Sequence, residues 1–197
     1  MRIVGGELKG QRLSCPKGRK IRPTTDRIKE ALFQILESSY GISWRHAQVM
    51  DLFAGTGSLG IEALSRGADH VLFVERDRHS VAILAKNLER CALKERAKLV
   101  RMDVLRFLAK RIGQMSHLPF SLIFADPPYG TGLSERVLKG ISAREDIIED
   151  RGLLVVEEGK RTELHRVIEG DALDLRLTSR RVYGDTALFF YQADIHS

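Results

Sequence analysis

The strand-like run Val49–Phe53, apolar but for Asp51, leads directly into Ala54-Gly55-Thr56-Gly57, and no other stretch narrows the fold as much. A strand with apolar side chains on both faces must be covered on both, which parallel sheets achieve by placing helices above and below. The rest of the chain fits that demand. Strand-like runs recur at Val71–Glu75, Lys98–Met102, Leu118–Ala125 and Leu153–Glu157. Amphipathic segments lie between them, such as Asp77–Arg90, where Val81, Leu84, Ala85 and Leu88 share one helical face. An earlier helix opens at Thr24-Thr25-Asp26, with Ile28, Ala31, Leu32, Ile35 and Leu36 forming its apolar face. Near the C-terminus Leu173, Leu175 and Leu177 alternate with Asp174, Arg176 and Thr178, and Ala187–Tyr191 follows the turn at Tyr183-Gly184-Asp185. That pattern predicts an antiparallel hairpin at the sheet edge. The expected fold is α/β and Rossmann-like: a seven-stranded, mostly parallel sheet with an antiparallel C-terminal hairpin.

Length and charge set further bounds. A chain of 197 residues can bury one full core. It divides into a basic N-terminal extension over residues 1–23, a short hairpin or loose arm, and a body over 24–197. No apolar run approaches the ~18 residues of a membrane span, and no signal region opens the chain, so a cytoplasmic, membrane-free protein is expected. Cys15 and Cys91 have no metal-ligand spacing, so no metal is expected either. Residues 1–30 hold nine basic and three acidic side chains, an excess equal to the formal +6 of the whole chain. A balanced body with one basic end suits a polyanionic partner. Lys9, Arg12, Lys17, Arg19, Lys20, Arg22, Thr24 and Arg27 are the candidate contacts. With no aromatic residue among the thirty, the segment suits phosphates better than bases. A solvated tail is the competing explanation, and helix capping competes for Thr24 and Thr25.

Gly55-Thr56-Gly57-Ser58-Leu59-Gly60 satisfies the G-x-G-x-x-G fingerprint, and Glu75 follows Gly57 by eighteen residues. In that fingerprint glycines permit close ligand approach and the acid accepts ribose hydroxyls. Asp51, just before the loop, would repel a pyrophosphate and suit an ammonium group, which favours S-adenosylmethionine over NAD. A plain tight turn remains the bland alternative. Glu75 offers two acceptor oxygens, although an acid there can also serve a helix N-terminus. Asp103, with Val104 beside it, could accept an adenine amino group or simply cap a helix.

Asp126-Pro127-Pro128-Tyr129 closes another strand. Tandem prolines fix the backbone and remove two donors, leaving rigid carbonyl acceptors. A carboxylate oxygen of Asp126 and the Pro127 carbonyl could each accept one hydrogen of an –NH₂ group, aiming the nitrogen lone pair at a sulfonium methyl. Tyr129 can stack on the target base. A simple Asp-Pro turn is the alternative.

Three segments together, Gly55 through Ala68, the Asp126–Tyr129 turn, and Arg22-Pro23-Thr24-Thr25-Asp26-Arg27, resemble the RsmD family of bacterial 16S ribosomal RNA guanine-N2 methyltransferases. The likeness runs from Arg2-Ile3-Val4-Gly5-Gly6 to Tyr183-Gly184. It implies the class I S-adenosylmethionine-dependent methyltransferase fold. It places Asp51, Gly55, Gly57, Glu75 and Asp103 at the cofactor, with Thr56, Arg76 and Val104 flanking them, and Asp126 through Tyr129 at the target amine. It further implies 16S ribosomal RNA in a small-subunit assembly intermediate as substrate, with the enzyme acting as a monomer. Ser121 departs from the Asp often found in such strands, away from the strand end. DNA-base and protein-glutamine methyltransferases share the Asp-Pro-Pro-Tyr type of motif. The glutamine enzymes more typically carry Asn at the position of Asp126, and DNA enzymes usually need an added recognition domain. A non-catalytic RNA- or ribosome-binding module would need neither the glycine loop nor the Asp126 turn.

Overall fold

The computed structural model describes residues 1–15, 26–110 and 119–196. Two compact units divide the chain, Met1–Arg101 and Met102–Ser197.

In the first unit, α1 (Asp26–Ser38), β1 (Gln48–Leu52), α2 (Ser58–Ser65), β2 (His70–Glu75), α3 (Arg78–Arg90) and β3 (Ala97–Arg101) follow in order. β1 pairs in parallel with β2 from Gln48↔His70 to Leu52↔Val74, and β2 with β3 from Val71↔Ala97 to Glu75↔Arg101. Val49, Met50, Leu52 and all of Val71–Val74 are buried, which is why these strands read as largely apolar runs, with Asp51 the exception in β1. α3 begins one residue later than the sequence suggests, because Asp77 is its N-cap and accepts the Ser80 amide at 2.8 Å.

The first fifteen residues belong to this unit. They fold back at an Arg2↔Arg12 antiparallel bridge, and Ile3, Val4 and Leu13 are buried. The hairpin is bound to the helices: the Val4 amide donates to Glu62 at 2.8 Å and the Leu8 amide to the Ser65 hydroxyl at 3.0 Å. Ser14 exchanges two hydrogen bonds with the buried Asn87 side chain of α3, at 2.8 and 3.1 Å. The basic composition of this segment conceals three apolar side chains that suffice to dock it.

Beneath the hairpin lies a buried charge cluster. Lys29 Nζ and Glu62 Oε2 approach to 3.3 Å with both side chains 0% exposed, and Lys29 also donates to the Arg2 carbonyl at 2.6 Å. Burial lowers the Lys29 pKa, while Glu62 opposes that shift. Arg66 adds a second contact to Glu62 at 3.1 Å, reaches Glu37 at 2.7 Å, and lies over the Phe33 ring.

The second unit contains α4 (Val104–Leu108), β4 (Phe120–Ala125), α5 (Leu133–Ser142), β5 (Ile148–Gly159), β6 (Val167–Ile168), β7 (Leu173–Tyr183) and β8 (Thr186–Ile195). β4 and β5 are parallel; β5–β8, β8–β7 and β7–β6 are antiparallel. The expected α/β fold with a closing antiparallel hairpin is what the structure shows. Among the described residues the strands number eight, the addition being the two-residue β6 at the edge beside β7.

Removing one member of a buried ion pair strands the other in low dielectric. Glu62→Ala should therefore cost about 3–5 kcal/mol, read as a lowered urea midpoint at unchanged m-value. Lys29→Met combined with Glu62→Leu should cost less than the two single replacements added together.

Candidate active site

Beyond β1 the backbone turns through Phe53, Gly55 and Gly57, with φ of 60°, 54° and 88°. At Gly55 an added Cβ would meet nothing closer than 3.9 Å, so the left-handed backbone alone demands glycine and the space beside it is open. At Gly57 a Cβ would sit 2.3 Å from Leu84, and at Gly60 2.2 Å from the Phe73 ring. The last glycine thus lets α2 lie directly on β2. Phe53, a bulky residue at positive φ, carries strain of order 1–3 kcal/mol, a cost that concentrates at functional sites.

Two carboxylates hold this loop. Glu75, at the end of β2, accepts the Gly55 amide at 2.8 Å through one oxygen and the Asp77 amide at 2.7 Å through the other. Asp51, on β1, accepts the Gly60 amide at 2.9 Å. Gly57 is the N-cap of α2 and has no side chain to offer, so Asp51 satisfies a first-turn donor from outside the helix. Asp51 is 2% exposed, and its pKa is pushed up to about 7. Burial drives that rise and the nearby Glu75 adds to it, against the Gly60 hydrogen bond. Asn87 donates to the Thr56 carbonyl at 3.0 Å, so the residue that grips Ser14 also steadies the loop. Arg76 is exposed just past β2.

In the second unit Asp103 is the N-cap of α4, accepting the Leu105 and Arg106 amides at 3.1 and 3.2 Å, with Val104 buried behind it. The capping role weighed for Asp103 is thus present, performed by Oδ1. The Asp126–Tyr129 turn leaves β4 with Asp126 half-buried, Pro127 buried, and Pro128 and Tyr129 exposed. Thr131 donates its hydroxyl to the Pro128 carbonyl at 2.7 Å. The Tyr129 hydroxyl donates to Glu157 Oε1 at 2.7 Å and lies 3.2 Å from the Thr186 hydroxyl. Its ring rests against Gly159, where an added Cβ would be 3.5 Å from Cδ2, yet stays 36% exposed. Burial and then the Glu157 contact raise the phenol pKa far above its usual value, so it remains a proton donor. Glu158, also buried, accepts the Ser134 hydroxyl at 2.7 Å and so ties the start of α5 to the end of β5.

The family model described as Conserved hypothetical protein 95 matches residues 1–192. Over 198 residues the chain is 36% identical to YlbH of Bacillus subtilis, a candidate rRNA methyltransferase, covering 98% of each chain. It is 34% identical over 202 residues to Ribosomal RNA small subunit methyltransferase D of Escherichia coli K12, covering 94% of this chain and 93% of that one. Among solved structures, the candidate methyltransferase yhhF from Escherichia coli superposes with a TM-score of 0.81 at 30% identity, covering 100% of this chain and 99% of the other. The chain belongs to the RsmD family.

In this RsmD-family chain Glu75 holds Gly55, Asn87 holds Thr56 and Asp51 holds Gly60, three hydrogen bonds spaced along one loop. Of the basic candidates, Lys9, Arg12 and Arg27 are exposed on the first unit; Lys17, Arg19, Lys20, Arg22 and Thr24 lie outside the described residues. Among those residues no group of three or more His, Cys, Asp or Glu side chains could hold a metal ion, and no helix is long and apolar enough to cross a membrane. No motif in the sequence marks Glu157, Glu158 or Thr186. The signal for the two acids is Val155-Val156-Glu157-Glu158: tandem acids ending an apolar strand must send their side chains to opposite faces.

Asp51 keeps its proton to about pH 7 in the folded chain but releases it near ~3.9 when unfolded. The native state therefore holds the extra proton between those values, and this contribution to stability falls as pH rises through that window, by up to roughly 1.4 kcal/mol per unit. Asp51→Asn has no proton to release. The stability of the wild type relative to this variant should decline from about pH 4 to 7 and level off above, as read from denaturant midpoints across pH.

Proposed function

We propose that this chain transfers a methyl group from S-adenosylmethionine to the exocyclic N2 of a guanine in 16S ribosomal RNA, guanine 966, within a small-subunit assembly intermediate. The observation that carries the reading is the Asp126–Tyr129 turn at the end of β4, stiffened by prolines and tied through Tyr129 to Glu157. Such a turn suits a planar amine and serves no purpose in a pure binding module. The names of the relatives favour ribosomal RNA over DNA or a glutamine side chain. So do Asp in place of Asn at 126 and the exposed Lys9, Arg12 and Arg27.

The first unit suits the cofactor. Open space beside Gly55 admits a nucleoside, Glu75 keeps acceptor capacity on oxygens that each take one amide, and a bound ammonium would draw the raised-pKa carboxyl of Asp51 into its charged form, which a pyrophosphate would oppose. Thr56, Gly57, Arg76, Asp103 and Val104 are assigned to the same role. When bound, S-adenosylmethionine supplies an electrophilic methyl on a sulfonium. The chain supplies position and charge. Asp126 and the Pro127 carbonyl accept the two amine hydrogens, a division consistent with the Pro128 carbonyl being bonded to Thr131. A carboxylate with a reference pKa near ~3.9 is far too weak to deprotonate an arylamine beforehand. Asp126 instead stabilises the positive charge that develops on nitrogen and takes the proton once that nitrogen has become acidic. Tyr129 presents a ring, fixed in place, for the base to stack on.

With labelled S-adenosylmethionine, label should enter the small-subunit fraction and digest to N2-methylguanosine; label in protein or DNA would overturn the proposal. Calorimetry should show S-adenosylmethionine binding and no NAD binding, with Glu75→Ala weakening the former by ~1–3 kcal/mol. Asp126→Ala should abolish methylation at nearly unchanged cofactor affinity. Tyr129→Phe, which keeps the ring and loses its tether, should fall between the wild type and Tyr129→Ala.

A further inference from the structure

Strands β5, β8 and β7 arrange side chains in cross-strand rows. Gly159 is opposite Thr186, which is opposite Tyr183; in a neighbouring row Glu157 is opposite Leu188, which is opposite Arg181. Opposed residues on antiparallel strands share a face, as do alternate residues along one strand. Glu157, Thr186, Arg181 and Tyr183 therefore lie on one face of the sheet. Tyr129 lies on it too, because its hydroxyl reaches both Glu157 and Thr186. The other face is occupied separately: Arg180 covers the Phe189 ring at 5.3 Å, and Ser134 of α5 bonds Glu158. Arg181 and Tyr183 are thus two strands, roughly 10 Å, across from β5, where Glu157 tethers Tyr129.

The charges on this edge are not equivalent. Arg176 pairs with Asp174 and Asp194, Lys160 with Asp185, and Arg180 with Glu163. Arg181 is exposed and makes no ion pair among the described residues. Tyr183 is half-exposed beside it. The thirty N-terminal residues contain no aromatic side chain, so that segment can track phosphates but has nothing on which to stack a base. An uncommitted arginine and an aromatic ring on the acceptor face supply both functions.

We propose that Arg181 and Tyr183 form a docking surface for the RNA strand next to the target nucleotide, Arg181 contacting a phosphate and Tyr183 stacking on a neighbouring base. This rests on the reading of the chain as an RNA methyltransferase. It assigns to β7 the reading of single-stranded RNA by a sheet face.

Binding and methylation of 16S ribosomal RNA and of small-subunit particles are compared for the wild type, Arg181→Ala, Tyr183→Ala and Tyr183→Phe. Arg181→Ala should weaken RNA binding several-fold and lower the log–log salt slope by roughly 0.7 to 0.9, the signature of one lost phosphate contact. Tyr183→Ala should weaken binding by roughly tenfold with an unchanged slope, and Tyr183→Phe should restore it. Calorimetric affinity for S-adenosylmethionine and the melting temperature should stay at wild-type values throughout, which a merely structural role for Tyr183 would not allow. Wild-type activity on the RNA, with affinity and salt slope unaltered in both alanine variants, would overturn the docking surface alone. A wild type that neither binds nor methylates the RNA would overturn the proposed function, and this inference with it.

Discussion

Two carboxylates on adjacent parallel strands set the shape of the glycine loop, and most of the first unit is arranged around that constraint. Glu75 fixes the loop's first glycine and Asp51 the third, so the stretch between them is held at both ends by side chains from the sheet. Burying Asp51 is costly, as its raised pKa shows. Part of that cost is offset because the acid faces first-turn amides of α2, where the helix presents partial positive charge. The left-handed backbone at Phe53, unfavourable by itself, persists because both ends of the turn are fixed.

The same loop is braced from the N-terminal side. Asn87 is bonded at once to Ser14 and to the Thr56 carbonyl, and Glu62, on the helix that leaves the loop, accepts the Val4 amide while pairing with Lys29. The hairpin that displays Lys9 and Arg12 is consequently part of the packing that shapes the loop. Its exposed cations, Lys9 and Arg12, therefore stand on a defined scaffold.

Much of this was legible in the sequence, for a simple reason. Strands β1, β2 and β4 and helices α1 and α3 declare themselves by local periodicity, and the two motifs by local composition. What stayed hidden depends on contacts distant along the chain. Ile3, Val4 and Leu13 are too sparse and too interrupted by glycine and charge to announce a docked hairpin. Glu62 looks like the solvated acid of a helix and proves to be buried against Lys29, thirty-three positions earlier. Asp103 was read both as a cofactor residue and as a cap, and no local pattern separates the two, because strand ends that hold ligands are also helix beginnings that need caps. The tether from Tyr129 to Glu157 spans 28 residues and requires the β4–β5 register to be known.

The two units solve their positioning problems by different means. In the first, the candidate ligand-facing groups are largely backbone, exposed by glycines and held by buried acids; such a surface tolerates little change, because a single Cβ at Gly57 or Gly60 collides with the core. In the second, position rests on side-chain tethers, Tyr129 to Glu157 and Ser134 to Glu158, that hold the turn from opposite faces of the same strand. On the proposed function, a ring fixed by its own hydroxyl would lose little conformational freedom when a base stacks on it, leaving more of the stacking energy to orient the amine. Ring contact and hydroxyl tether are then separate contributions of one residue. The strands that anchor the tether continue sideways into β7, which carries Arg181 and Tyr183, so on the proposed function one sheet would both orient the acceptor turn and meet the adjoining substrate.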